Sequence, residues 1–469
     1  MSRRKKVVLG VLSFLAVTLV ALLVIVPLLF NLDRYRTQVA AIIERQMGKP
    51  TEIGHLAFTV FPHLSVRVDD FALKNPPGFP QDYFVKAQRV YAVIDASDLW
   101  KHRVVVKSLE LEAPAISLLS GPNGNWNFAG HPSSTKSDPD PPGDKPLFTL
   151  GVIFNVKISK GTLSVADLMP SGQPGPAFIA AEGVSSQLRQ VDLNALSESA
   201  DDTAGSTGPL VAEGTFEMDT LHAMNLAVTK VKSKLRLFPK QVFLDGLEFK
   251  CYDGAGGDDL SFAFPGPNPR YKTQAKLSGV NAAKLLDAFP QVRGKLTGTL
   301  DGAVALEGEL SGTPDLLAGI SGSGHIAIRN GRLPGLQWNQ NLLQLVRLAK
   351  MGPASGDPSS FSSIAMDFTI ANNRINTTKA TIVGNGVELD GSGSLGLAGK
   401  GSLAYQGVAR VVTSRNALTD ILRGISGATL VNGKMAFHFK LTGTLQNPQF
   451  TVMPSAADSQ KGAGKDAKP

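Results

Sequence analysis

Residues 294–310 constrain what this chain can fold into more than any other stretch. The even positions run Leu296, Gly298, Leu300, Gly302, Val304, Leu306, Gly308, Leu310, and the odd ones Lys295, Thr297, Thr299, Asp301, Ala303, Ala305, Glu307, Glu309. A period of two belongs to extended backbone, either one strand or two joined at a turn such as Asp301-Gly302, with one apolar and one wet face. The alternation returns at Met366, Phe368 and Ile370, at Val387, Leu389, Leu395 and Leu397, and at Met435, Phe437, Phe439 and Leu441. Few helices are in prospect to cover so much apolar strand. An antiparallel sheet with one greasy side has to hide it, here partly by curling into a trough and partly against lipid.

Composition agrees with strands and turns. The 469 residues include 48 Gly and 29 Pro and are only 18% charged, a balance that leans away from helical bundles. The net charge of +8 invites a nucleic-acid reading. Four of those charges are Arg3, Arg4, Lys5 and Lys6, and no basic stripe is interleaved with aromatics, so nucleic acid is excluded as a partner. The single Cys251 can form no internal disulfide and reads as a small buried hydrophobe.

Val7–Phe30 carries no charge and is long enough, at ~1.5 Å per residue, to cross a hydrocarbon core of ~30 Å. A cleaved secretory signal would have a shorter apolar core and a small-x-small site, which Val26–Asn31 does not offer. An uncleaved anchor is therefore expected. The basic cluster before it places residues 1–6 in the cytoplasm and everything after Asn31 outside the inner membrane. Next, Leu32, Tyr35, Val39, Ile42, Ile43 and Met47 share one helical face, with Gly48 and Pro50 as the stop. This helix either packs on the first strands or lies in the membrane interface.

From Thr51 the period is two. Strands are expected around Leu64–Val68, Val90–Ile94, Arg103–Leu111 and Ala115–Leu118, with turns at Lys74–Gly78 and Gly121–Gly124. The succession of a basic-flanked anchor, a helix ending Gly48-Lys49-Pro50, then Phe61-Pro62, Val68-Asp69-Asp70-Phe71 with Asn75-Pro76, Leu109–Pro114 and Gly124-Asn125-Trp126 resembles the N-terminal region of the AsmA family of bacterial envelope proteins. The resemblance covers roughly residues 7–128. Leu441-Thr442-Gly443-Thr444-Leu445-Gln446-Asn447-Pro448 is similar to that family's closing strand, and Gly312-Thr313-Pro314 is a partial echo.

Two stretches poor in apolar residues, Gly130–Lys145 and Ser197–Gly208, read as a linker and a second break. Between and after them strands are expected at Leu147–Val156, Gly161–Val165, Leu210–Met218, Leu226–Leu237 and Val242–Tyr252. Three short helices are expected: 282–289 capped by Asn281, 337–351, and one from Ser414 or Asn416 to Gly427. The tail 454–469 reads as disordered. The expected organisation is thus a cytoplasmic N-terminus 1–6, an anchor 7–30, an AsmA-like region 31–128, a linker 129–146, a β region 147–453 and the tail. The fold class is mainly β: the transmembrane helix, then an elongated, curled, groove-like antiparallel sheet with a few short covering helices.

No chemistry-bearing constellation emerges. Gly391–Gly396 fits G-x-G-x-x-G, but it lies in an alternating strand and opens no helix, which removes its way of holding a pyrophosphate. The seven histidines are scattered, with no metal-ligand spacing, and no nucleophile elbow or Walker loop occurs. Asp69-Asp70, Asp201-Asp202 and Asp258-Asp259 read as solvated carboxylates at strand ends or in loops. The expectation is a protein that is not an enzyme and needs no cofactor or metal. The resemblance implies more: AsmA-like proteins are similar to bridge-like lipid transfer proteins, whose curled sheets carry acyl chains. It implies a single-pass inner-membrane protein with its bulk in the periplasm, moving phospholipid or another acyl lipid between inner and outer membranes. The alternative it leaves open is an assembly factor acting on outer-membrane or other envelope proteins through exposed strand edges. The candidate lipid-facing residues are Leu296, Leu300, Val304, Leu306, Leu310, Met366, Phe368, Val387, Leu389, Leu395, Met435, Phe437, Phe439 and Leu441. Periodicity leaves open whether this face is open or packed.

Overall fold

A computed structural model describes residues 32–453 apart from 60–64, 81, 95–105, 123, 129–151, 193–194, 196–207, 224, 265–268, 291, 310–318, 335–358, 385–386, 398, 413–428 and 432–433. The expected anchor Val7–Phe30, the linker, nearly all of the break 197–208, the expected helices at 337–351 and 414–427, and the tail lie outside these residues. Among the described residues no helix is long and apolar enough to cross a membrane. The described chain is mainly β, with twenty-one strands in a long, mainly antiparallel sheet. It divides into two compact units, one holding residues 1–224, 230–245 and 263–268, the other 225–229, 246–262 and 269–469.

In the first unit a 3-10 turn, Leu32–Tyr35, runs into helix α1, Arg36–Met47. Gly48 ends it in the left-handed region at φ 64, its N–H bonding the Glu44 carbonyl at 2.8 Å, a conformation glycine adopts without steric cost. Leu32 and Val39 pack against the buried cluster Leu56, Val68, Ala87 and Val90, so the helix is seated on the first strands. Tyr35 and Met47, expected on the same face, are exposed. The strands are β1 (Thr51–Thr59), β2 (Ser65–Lys74), β3 (Tyr83–Ile94), β4 (Val106–Glu112), β5 (Ala115–Ser120), β6 (Val152–Asp167), β7 (Ile179–Asp192) and β8 (Ala212–Ala223). The side chains beside β1 also cover its outer edge. Asp33 accepts from the Leu56 N–H at 3.1 Å, and Arg36 donates to the Gly54 carbonyl at 3.2 Å, a device that blunts an edge strand.

The expectation of a wholly antiparallel sheet needs correcting here, because β4 and β5 both run parallel to β6. Pro114 has no N–H to offer a ladder, and Ala113 beside it has a positive φ of 47, so one long strand is broken in two. Opposite them β6 kinks in step, at Lys160 (φ 54) and Gly161. Ala113 N–H then bonds Ser159 O, and Thr162 N–H bonds Pro114 O, each at 2.8 Å. Parallel neighbours need a long crossover, which the chain between Ser120 and Val152 supplies. The described part of 147–156 and the segment 161–165, expected as two strands, belong to one strand, β6.

Strands β9 (Leu226–Phe238) and β10 (Gln241–Cys251) are divided between the units. The second unit continues with β11 (Gly254–Ala263), β12 (Arg270–Asn281), helix α2 (Ala282–Leu286), β13 (Thr299–Glu309), β14 (Ser321–Arg332), β15 (Ser360–Ala371), β16 (Arg374–Gly384), β17 (Val387–Gly396), β18 (Ser402–Val412), β19 (Thr429–Val431), β20 (Lys434–Thr444) and β21 (Pro448–Met453). From β12 to β18 each strand pairs antiparallel with the next; β20 then pairs with β18, β19 and β21. The alternating stretch 294–310 is a single strand from Thr299, with no turn at Asp301-Gly302. Asn281 caps α2 as expected, its Oδ1 accepting from the N–H groups of Ala283 and Lys284 at 3.1 and 3.3 Å. Strands β7, β11, β12, β14, β16, β18, β19 and β21 escaped the sequence reading. In β14 glycine and serine stand where large apolar residues would mark the period, and in β16 a bulge between Thr377 and Ala380 shifts its phase.

A candidate lipid-binding face

Antiparallel partners directly opposite one another point to the same side of a sheet, so the register converts the sequence pattern into rows crossing the strands. The first row is Val280, Leu300, Ile328, Ile364, Ile382, Leu389, Ala409 and Phe437, an unbroken apolar line over eight strands. The second holds Gly302, Ile326, Met366, Ala380, Gly391, Gly407 and Phe439. The third holds Val304, Gly324, Phe368, Thr377, Gly393, Tyr405, Leu441 and Phe450. The fourth holds Leu306, Gly322, Ile370, Ile375, Leu395 and Leu403. One face of β12–β21 is therefore largely apolar, interrupted by the Thr377 and Tyr405 hydroxyls and, on β12, by Thr273 opposite Leu306. Bulges in β12, at Leu277/Val280, and in β16 bend the strands beneath it and curl this part of the sheet.

The rows differ in exposure. Leu300 is 8%, Ile328 2% and Phe437 2% exposed, and Val280, Leu389 and Ala409 are also buried. At one end α2 contributes Ala282 and Leu285 to the same cluster as Val280, Leu300 and Ile328; further along, Leu389, Ala409, Phe437 and Phe439 bury one another. Val304, Leu306, Ile326, Met366, Ile370, Ile375, Leu395, Leu403 and Leu441 are half-buried.

Most of the sequence candidates come together on this face. Leu300, Phe368, Leu389, Phe437 and Phe439 sit in its buried parts, while Val304, Leu306, Met366, Val387, Leu395 and Leu441 are half-buried. Leu296 precedes β13 and packs beside the α2 cluster, off the strand that periodicity gave it. Leu310 and the Met435 side chain lie outside the described residues. Ile326, Ile328, Ile364, Ile375, Ile382 and Leu403 share the face but were missed, and Ile370, read in the alternation, was not among the candidates. Most of their strands carry glycines or a bulge that hide the period, and the cross-strand register reveals them.

Glycine keeps the face smooth. A methyl on Gly324 would lie 2.6 Å from Phe368 Cζ, and one on Gly393 would lie 2.7 Å from Tyr405 Cγ. Each large ring lies across a glycine on the neighbouring strand. Tyr405 thereby reaches the buried Thr377, and the two hydroxyls meet at 3.0 Å, so this polar pair closes on itself.

The opposite face is ionic. Arg270 pairs with Glu309 at 3.3 Å, Lys272 with Glu307 at 3.3 Å, Arg329 with Asp301 at 2.5 Å, His325 with Asp367 at 2.6 Å, and Arg410 with Asp390. Exposed pairs of this kind contribute little stability each and keep that face in water. Gly391–Gly396 lies inside β17 and opens no helix, as expected. Asp69-Asp70 and Asp258-Asp259 lie inside β2 and β11, not at strand ends or in loops. Asp69 faces Arg67 and Arg89; Asp258 accepts from Thr273 Oγ1 at 2.5 Å and from the Gln274 N–H at 2.8 Å. Burial pushes the Asp258 carboxyl up, against those hydrogen bonds. Cys251 is buried and unbridged, and burial raises its thiol. No cluster of potential metal ligands occurs among the described residues.

A second constellation lies in the first unit. Lys49, only 6% exposed, donates from Nζ to the Asn127 carbonyl at 2.7 Å and stands 5.1 Å above the Phe84 ring. Burial holds its ammonium below the usual lysine range. Asn127, 0% exposed, donates to Asn75 Oδ1 at 2.8 Å and to the Ser117 carbonyl at 2.7 Å, and accepts from the Leu119 N–H at 2.9 Å. Lys49 of Gly48-Lys49-Pro50, Asn75 of Asn75-Pro76 and Asn127, which follows Gly124-Asn125-Trp126, thus converge from far apart in sequence on one buried polar latch.

Comparison with known proteins gives one match. Residues 1–168 fit the model of the AsmA family; the fit runs to the end of β6 and takes in the whole latch. The similarity at Leu441–Pro448 lies outside it. No curated protein and no solved structure matches the chain.

Proposed function

From this AsmA-type region over residues 1–168, we propose that the protein is held in the bacterial inner membrane by Val7–Phe30 with its bulk in the periplasm. Its apolar sheet face carries acyl lipid, moving phospholipid between inner and outer membranes in support of outer-membrane assembly. The observation that carries this reading is the registered apolar face of β12–β21, half-exposed over most of three rows. A contiguous apolar surface on this scale marks a binding surface. Each CH₂ of a lipid tail costs ~0.8 kcal/mol to expose, so a tail needs continuous apolar cover while its head group stays in water. Such carriage needs no catalytic group, cofactor or metal.

A photoreactive side chain placed in cells at Leu306, with Glu307 as the wet-face control, tests it. Phospholipid adducts at 306 and none at 307 are expected. A probe at 306 that captures no lipid in a correctly folded, membrane-held protein removes the reading.

One observation favours the assembly-factor alternative. Among the described residues β21 pairs only with β20, and Pro448–Met453 carries no charge to blunt its outer edge. In that reading the edge adds a strand from an outer-membrane protein, and a probe at Thr451 captures protein in preference to lipid.

A further inference from the structure

The four rows are not equivalent, and their differences choose a path. The first row is mostly buried, so its side chains are core. The second is interrupted by the small residues Ala380, Gly391 and Gly407, and the third by the Phe368 ring and the Thr377–Tyr405 hydroxyl pair. The fourth alone is aliphatic and half-exposed from Leu306 to Leu403, with Gly322 its one gap. It crosses six strands, five spacings of ~4.8 Å or about 24 Å, whereas the tail in one leaflet occupies about 15 Å, half of a ~30 Å core.

The fourth row is also the one nearest the hairpin ends. Ile370 and Ile375 flank the turn Asn372–Asn373, and Leu395 and Leu403 flank the turn around Gly399-Lys400-Gly401. The second turn carries Lys400 and neither turn carries an acid, while Arg374, which alternates with Ile375, lies on the opposite face and donates to Ser394 Oγ at 2.7 Å. A lipid lying on this row would place its phosphate at the hairpin ends, beside Lys400, and its tail on aliphatic side chains.

Resting on the lipid-carrying reading, we infer that the tail of an anionic or zwitterionic phospholipid runs across the strands along Leu306, Ile370, Ile375, Leu395 and Leu403, with its phosphate at the hairpin rim beside Lys400. Leu300, Leu389 and Phe437, apolar by the same periodicity, are structural core and do not touch it.

The experiment uses the full chain in vesicles of phosphatidylethanolamine and phosphatidylglycerol that include a phospholipid with a diazirine in its acyl chain. After irradiation, adducts are mapped by mass spectrometry. Adducts at Ile370, Ile375, Leu395 and Leu403 should exceed those at Ile328, Leu389 and Ala409 at least tenfold. Ile375→Asp should lower them about tenfold and Ile375→Leu should not, with both variants checked for an unchanged melting temperature. Adducts equal on the two rows, or concentrated on the first or third, overturn the path and leave lipid carriage standing. Adducts absent from residues 269–453 overturn lipid carriage itself.

Discussion

The Phe368 ring reaches Gly324 on the neighbouring strand, and a methyl there would stand 2.6 Å from Cζ and 2.8 Å from Val304 Cγ1. Gly324→Ala should therefore overpack this spot and destabilise the second unit by about 1–3 kcal/mol. Because the shortest contact is with the ring, Phe368→Ala in the same chain should relieve part of the overpacking and leave the Val304 contact. A double-mutant cycle from denaturant unfolding measures the coupling; strict additivity would mean the ring does not occupy the glycine's space.

Asn127 holds four partners from inside the first unit, and three of them are bonded by its side chain. Asn127→Ala strands the Leu119 N–H, the Ser117 carbonyl and Asn75 Oδ1, at about 1–3 kcal/mol for a buried group left unsatisfied. A loss of about 3 kcal/mol is expected in the unfolding of the N-terminal unit. A loss below 0.5 kcal/mol would show that the latch does not close as described.

Lys49 gives the latch a pH signature. Burial lowers its folded-state pKa below the unfolded value, so between the two the unfolded chain binds the extra proton. Stability from this residue then rises as pH climbs through the folded pKa towards the ordinary lysine value. Relative to Lys49→Met, the wild type should gain melting temperature between pH 7.5 and pH 10. A difference that stays flat or shrinks over that range contradicts the buried ammonium.

Asn372 and Asn373 both take left-handed backbone, at φ 51 and 56, as a two-residue hairpin between right-twisting strands requires. Asn373→Gly should be neutral or slightly stabilising, and Asn373→Val should cost about 1–2 kcal/mol. Equal melting temperatures for the two variants would argue against this turn.

How much of this was legible beforehand divides along a physical line. The period of two in 294–310, the Gly48 stop, the Asn281 cap and the apolar alternation of β17 and β20 depend on neighbours along the chain, and the sequence determined them by itself. What depends on neighbours across the sheet did not show. Ile328, Ile375 and Leu403 joined the apolar face only once register placed them opposite Leu300, Ile370 and Leu395, because glycines and bulges erase the period within their own strands. Register also split the candidates: Leu300 and Leu306 are three turns of the same alternation apart, yet α2 buries the first and leaves the second half-open. The parallel run of β4 and β5 along β6 and the meeting of Lys49, Asn75 and Asn127 are likewise long-range. Local propensity carries no information on which distant backbone fills a hydrogen-bond edge, and only the tertiary structure decided it.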